Sequence, residues 1–326
     1  MSESGSEFEF NDIWSGRVDA EEGAGLATRL HQVISPLDSA PVGKLGLALI
    51  GFCSDEGVRR NQGRVGARHA PDQLRRSLAN LPWPMDRPAY DAGNVICEGE
   101  KLDEAQQALG SRVSDCLAQG HFPFVLGGGH EMAFGSWLGL SRYCAAQKQM
   151  PRIGIINFDA HFDLRLDSYG GSSGTPFYQI AQQCQQQNYD FRYCCLGVSE
   201  ISNTAALFQR ADQLGVCYRK DAELGITRLA ETIDLLQNFI AGCDLLYLTI
   251  DLDVLPAYIA PGVSAPAARG VGLDVLEPLI EAIAGSGKLR LADIAEYNPN
   301  FDIDNRTARV VARLFHRIVK RGYKHD

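Results

Sequence analysis

The chain has 326 residues, 45% hydrophobic and 22% charged, with a formal net charge of −9. Its length and ordinary composition suit one large α/β domain or two smaller ones and exclude a disordered or collagen-like chain. The acidic balance leaves no basic surplus to displace counterions, which argues against sequence-independent binding of nucleic acid, so none is expected as a partner, and no run approaches the 18 or so apolar residues of a membrane-spanning helix.

In chain order, the start MSESGSEFEF is acidic and lacks the apolar centre of a secretory signal. Residues 1–40 are expected to form an N-terminal arm, partly exposed, ahead of a single domain over 41–326. The run LGLALIGF (45–52) is apolar without polar alternation, as a strand covered on both faces should be. A helix is predicted over 71–81 with Pro71 in its first turn. Another runs over 102–120, where Leu102, Ala105, Leu109, Val113, Cys116 and Leu117 share one face and Gly120 ends it.

Further buried strands are predicted at 122–127, 152–158, 191–198, 244–252 and 289–298. Helices fall at 227–242, with Thr227 as N-cap, and at 304–323, beginning with Asp304 and carrying Lys320 and Arg321 where the helix dipole favours cations. Such alternation implies βαβ units and a mostly parallel sheet. The Gly- and Ser-rich stretch SYGGSSG (168–174) reads as an active-site loop rather than an interdomain linker, because candidate ligands lie on both sides of it.

The nine cysteines include no Cys-x-x-Cys pair, and several lie in apolar runs. They are expected to be reduced thiols acting as small core hydrophobes, which points to the cytoplasm.

Polar residues gather where apolar runs end. FPFVLG is followed by GGHE and so by His130; IGIINF by Asp159, His161 and Asp163; LLYLTI by Asp251 and Asp253. Alternate residues of an extended chain point to one side, and ligands of open parallel sheets bind at strand carboxyl ends. Three strand ends would thus bring four carboxylates and two imidazoles to one crevice. Like charges so close need counter-charge. Two divalent cations bridged by carboxylates would supply it, and oxygen-rich coordination without thiolate favours Mn2+ over a closed tetrahedral zinc site.

GGGHE (127–131), DAHFD (159–163) and TIDLDVLPAYIAPG (249–262) resemble the three signatures of the arginase–agmatinase ureohydrolase superfamily. GVRRNQGRVGARHAPDQLR (57–75) is similar to that family's early loop and following helix, and AEYNP (295–299) to its late strand end with a substrate-facing glutamate. The resemblance implies a three-layer α/β/α domain, an arginase-like fold, with two Mn2+ per subunit and a homo-oligomeric assembly. It implies that His130, Asp159, Asp163 and Asp251 hold one ion. His161, Asp159, Asp251 and Asp253 hold the other, with Asp159 and Asp251 bridging. The family's chemistry is attack by a metal-bridging hydroxide on a guanidinium or amidine carbon. Asp163 would carry the proton to the departing nitrogen, and Glu296 would accept hydrogen bonds from the amidine.

Two departures narrow the substrate. Family members usually carry a histidine proton shuttle before Gly-Thr-Pro, whereas here Ser173 precedes Gly174-Thr175-Pro176. Two residues after Asp163 stands Arg165, where arginases have an asparagine, and a guanidinium at a pocket mouth suits a carboxylate. Both features, with TIDLDVLPA in place of the commoner aspartate-proline ending, resemble the branch that hydrolyses N-formimidoyl-L-glutamate to L-glutamate and formamide in histidine breakdown. Its amidine dicarboxylate substrate would draw on Arg165, with Arg64 and Asn61 of the early loop adding to the contact. The alternatives are a ureohydrolase acting on a guanidino acid such as guanidinobutyrate, or on agmatine, and a metal-binding family member without turnover.

Overall fold

A computed structural model describes residues 10–322 apart from 24, 84–86 and 149. Among the described residues nine strands form one sheet: β1 (Ile34–Pro36), β2 (Leu47–Cys53), β3 (Ala89–Ile96), β4 (Phe122–Leu126), β5 (Ile153–Phe158), β6 (Arg192–Val198), β7 (Cys217–Lys220), β8 (Leu245–Asp251) and β9 (Leu289–Ala295). Every neighbouring pair is parallel, in the order β1-β3-β2-β4-β9-β8-β5-β6-β7. Each apolar run predicted as a strand forms one.

The interior strands feed two cores. Along β2, Leu47 and Leu49 face one helical layer, and Ala48 and Ile50 the other. The first layer contains helices Ala70–Ala79, Leu229–Ala241, Leu273–Ala284 and Arg306–Gly322, which contribute Leu74, Leu236, Ile280 and Phe315. The second contains Leu102–Ala118, Met132–Ala146, Pro176–Gln186 and Ala205–Gln213, which contribute Leu109, Trp137, Phe177 and Leu207. This is the three-layer α/β/α arrangement, with strands that read as continuous apolar runs because both faces are covered.

Two helix starts differ from expectation. Thr227 lies inside a short 3-10 turn, Ile226–Arg228, and the α-helix begins after it with no side-chain cap. The last helix is capped by Asp302 rather than Asp304: the Asp302 carboxylate accepts from the backbone N–H of Thr307 (2.9 Å) and Ala308 (3.1 Å), while Asp304 adopts a left-handed turn (φ 53°).

The boundary expected at residue 40 is crossed by packing. Residues 34–36 pair with β3 as an edge strand. Ile13, Trp14 and Leu30 are buried, and the Trp14 Nε1–H donates to the Asp91 carboxylate (2.7 Å). Residues 1–9 of the expected arm lie outside the described residues.

Candidate metal centre

Four adjacent central strands, in the order β4-β9-β8-β5, end beside one another and carry His130, Glu296, Asp251 and Asp159 at or just past their carboxyl ends. After β4 the chain turns through Gly127 (φ 57°) and Gly128 (φ 95°), and a Cβ on Gly128 would stand 2.6 Å from the Phe52 carbonyl oxygen. Only glycine permits that approach. The turn delivers His130, fully buried, to the start of helix Met132–Ala146.

The carboxylates converge through tight turns rather than by extended alternation. After β5, the Asp159 carboxylate accepts from the backbone N–H of His161 (2.7 Å), and Asp163 takes a left-handed conformation (φ 49°). After β8, Asp251 caps a 3-10 turn by accepting from the backbone N–H of Asp253 (2.8 Å). Glu296 is likewise left-handed (φ 66°), and its Oε1 accepts from the backbone N–H of His130 (2.9 Å). Non-glycine residues in this region carry strain that persists where the surroundings over-determine it.

Two donor groups result. His130, Asp159, Asp163 and Asp251 bring one ligand atom each within 4.8 Å of one another, and Asp159, His161 and Asp253 do the same. His130 Nδ1 lies 3.1, 2.9 and 3.3 Å from oxygens of Asp159, Asp163 and Asp251. His161 Nδ1 lies 2.9 Å from Asp253 and 3.5 Å from Asp159. Asp159 therefore belongs to both groups through its two oxygens. Asp251 falls in the first group, and its Oδ1 accepts from the Asp253 N–H.

The electrostatics show an excess of negative charge. Burial disfavours ionisation of Asp251, Asp253 and Asp163; Asp253 and Asp159 add to the push on Asp251, and Asp159 helps to hold Asp163 up at about 6. Burial also disfavours the cations of His130 and His161, but the surrounding carboxylates outweigh it and raise both. Asp159 is held low because the two imidazoles overcome its burial. The donors are oxygen and imidazole nitrogen without thiolate, and the buried His130 Nδ1 makes no hydrogen bond. Such a set fits hard or borderline divalent cations.

Above the cluster opens a cavity of about 310 Å³ lined by His130, His161, Asp163, Asp251, Asp253 and Glu296, and on its other side by Asn61, Arg64, Arg165 and Ser173. The exposed Arg165 guanidinium makes no hydrogen bond or ion pair among the described residues, and its backbone N–H holds the Gly174 carbonyl (2.8 Å). Asn61 Nδ2 donates to Ser173 Oγ (3.2 Å), so stretch 168–174 folds against the early loop. Arg64 is engaged otherwise: its Nε donates to the Ser264 carbonyl (2.8 Å), its Nη2 to the Val263 carbonyl (2.5 Å), and its guanidinium stacks 3.8 Å over Phe301. Burial, with the neighbouring Glu131 carboxyl, pushes the Glu296 carboxyl up to about 8.

Sequence reasoning missed Asn203 and Asn157. Asn203 is buried and braces the turn after β5, donating to the Ala160 carbonyl (2.9 Å) and accepting from the Phe162 N–H (3.1 Å). Asn157 Nδ2 donates to Asp159 (2.9 Å); a polar residue inside the apolar run IGIINF was its only signal. Nothing local marks Asn203.

This chain belongs to the arginase family, whose model matches residues 45–320. It is 57% identical over 308 residues to a formimidoylglutamase of Aeromonas hydrophila, covering 94% of this chain and 97% of that one. A formimidoylglutamase of Ralstonia nicotianae is 54% identical, with 94% of each chain covered. Among solved structures, the fold is similar to a Trypanosoma cruzi formiminoglutamase with Mn2+ (TM-score 0.77, 26% identity, 91% of this chain and 98% of that one). It is also similar in fold to a formimidoylglutamase of Bacillus subtilis (TM-score 0.79, 23% identity, 98% and 95% covered).

Proposed function

We propose that this chain hydrolyses N-formimidoyl-L-glutamate to L-glutamate and formamide, with two Mn2+ held by His130, Asp159, Asp163 and Asp251 and by His161, Asp159, Asp251 and Asp253. The observation that carries the reading is one cavity with an anionic, imidazole-bearing floor and an unpartnered guanidinium, Arg165, at its side. Bound divalent cations supply Lewis acidity and ionise water near neutral pH, which makes a nucleophile without a protein base.

The chain's residues do the rest. Arg165 clamps a substrate carboxylate and sets the amidine end toward the floor. Asn61 and Ser173 add neutral hydrogen bonds at the same wall. Glu296, fixed by the His130 N–H, accepts from the amidine nitrogen and holds the carbon in place, a positioning contribution. Asp163 carries a proton to the departing glutamate nitrogen as the C–N bond breaks. Arg64 enters this reading as a brace of the early loop, since two of its donor nitrogens are engaged by backbone carbonyls.

All nine cysteines are free and seven are buried, which supports a reducing compartment, the cytoplasm. Among the described residues no helix is long and apolar enough to cross a membrane. A homo-oligomer, implied by the family resemblance, completes the reading.

The test is a substrate panel with Mn2+: formimidoylglutamate, guanidinobutyrate, arginine and agmatine. Formimidoylglutamate should give the highest kcat/KM by at least tenfold. A preference for guanidinobutyrate, whose single carboxylate also suits Arg165, would move the assignment to a guanidino acid. No turnover of any of the four with Mn2+ bound would favour a non-catalytic binding protein.

A further inference from the structure

On the far side of His130 from the cation cluster lies a line of buried polar groups with no part in the chemistry above. His130 Nδ1 faces the carboxylates, whereas Nε2 lies 3.0 Å from Thr249 Oγ1. Thr249 of β8 is in register with Asp293 of β9. Asp293 is fully buried; its Oδ2 accepts from the Tyr247 hydroxyl, its Oδ1 makes no hydrogen bond, and the hydroxyls of Thr249 and of the buried Ser136 both neighbour its carboxyl. A carboxyl group inside a sheet core, with one oxygen unfilled, costs stability that an apolar residue would not.

We propose that Asp293 and Thr249 are positioning residues that fix the tautomer of His130 for metal binding, an inference that rests on the reading of His130 as a ligand. The imidazole Nε2–H donates to Thr249 Oγ1. The threonine hydroxyl has a single proton, and once its oxygen accepts from the imidazole that proton turns to Asp293 Oδ1, which has no other hydrogen bond. Tyr247 fills Oδ2. Every donor then points from the metal site toward the carboxylate, and Nδ1 is left with its lone pair facing the cluster. Partners of this kind orient ligating imidazoles, and their loss costs about 10- to 100-fold in metal affinity.

Asp293→Asn tests the direction of the chain. If its carbonyl accepts from Tyr247, its NH2 meets Thr249, turns the threonine proton toward His130 Nε2, and favours the tautomer with a proton on Nδ1. Chelator competition on the purified protein should show about 10- to 100-fold weaker binding of one Mn2+, with the other little changed. The EPR signal of an exchange-coupled pair should give way to that of isolated Mn2+ at intermediate loading. Thr249→Val should reproduce the defect and Thr249→Ser should restore both affinity and coupled signal, while the metal-free melting temperatures of these two variants stay close together.

If Asp293→Asn does not fold, the Thr249→Val and Thr249→Ser comparison decides. Wild-type affinity for both ions in Thr249→Val, or in a folded Asp293→Asn, overturns the proposal, as does equal weakening in Thr249→Ser and Thr249→Val. If the wild-type protein itself binds no Mn2+, the underlying reading of His130 has failed instead.

Discussion

Arg165 carries the substrate assignment because its guanidinium is the cavity cation without a protein partner among the described residues. Arg165→Ala should remove a charge-assisted contact worth about 1.5–3 kcal/mol, seen as a roughly 10- to 100-fold rise in KM for formimidoylglutamate with a smaller change in kcat. Arg165→Lys should recover part of it, since an ammonium keeps the charge but loses the planar fork. Steady-state kinetics decide, and unchanged KM in Arg165→Ala would return guanidino and cationic substrates to contention. A second expectation concerns Asp159, whose two oxygens place it in both donor groups. Asp159→Ala should retain less than one Mn2+ per chain after desalting, whereas Asp253→Ala should keep the ion at the His130 group. Metal analysis of the two proteins compares them directly, and equal retention would count against Asp159 as the shared ligand.

At the scale of elements, the second helical layer depends on close approach between helices Leu102–Ala118 and Met132–Ala146. A Cβ on Gly139 would stand 2.5 Å from the Val113 Cβ and 2.8 Å from the Gly110 carbonyl oxygen. Backbone cannot yield as a flexible side chain can, so Gly139→Ala should destabilise by about 1–3 kcal/mol through overpacking, although alanine is the better helix former. Chemical denaturation measures this, and a gain in stability would show that the helices separate easily. The helix carrying Gly139 was not legible in the sequence. Ten of its residues are buried, Ser136 and Ser141 among them, so it lacks the polar face by which an amphipathic helix is recognised. β3 was missed for a related reason. Its Asp91, Gly93 and Asn94 break the apolar run, and partners distant in sequence make that acceptable in a sheet: the buried Arg75 guanidinium, bonded to Asp91 at 2.8 and 2.9 Å, and the Trp14 indole on the same carboxylate. β7, reading CYRK, is a short polar edge, as edges that resist further pairing tend to be.

For the whole molecule, the N-terminal segment closes the sheet. β1 covers the edge of β3, and Trp14 joins the Arg75–Asp91 pair by donating to the same carboxylate. Removing residues 1–40 should uncover the β3 edge and the buried pair, lowering the melting temperature and increasing aggregation. Thermal scans with light scattering would show it, and a truncated protein as stable and monodisperse as the full chain would make the segment dispensable to the fold. Metal loading should stabilise the molecule too. With Mn2+ at about 100 times its Kd, linkage adds about 2.7 kcal/mol per site, so chelation should abolish activity and lower the melting temperature, with Mn2+ restoring both. Activity in rigorously metal-free protein would overturn the hydrolytic reading.

The sequence by itself determined the interior strands other than β3, and the polar strand ends, because continuous apolar runs and the carboxylates that stop them are local patterns: His130, Asp159, His161, Asp163, Asp251 and Asp253 were legible in this way, and Glu296 through the family resemblance of AEYNP. Only the tertiary structure decided how they meet. β8 and β9 come late in the chain yet insert between β4 and β5, so four strand ends from distant segments become neighbours. It also decided that Arg64 braces a loop while Arg165 stays free, and that Asn203 holds the turn after β5. The physical reason is the same in each case: a hydrogen bond across 40 or 200 residues depends on where the sheet order places its partner, and no local pattern encodes that.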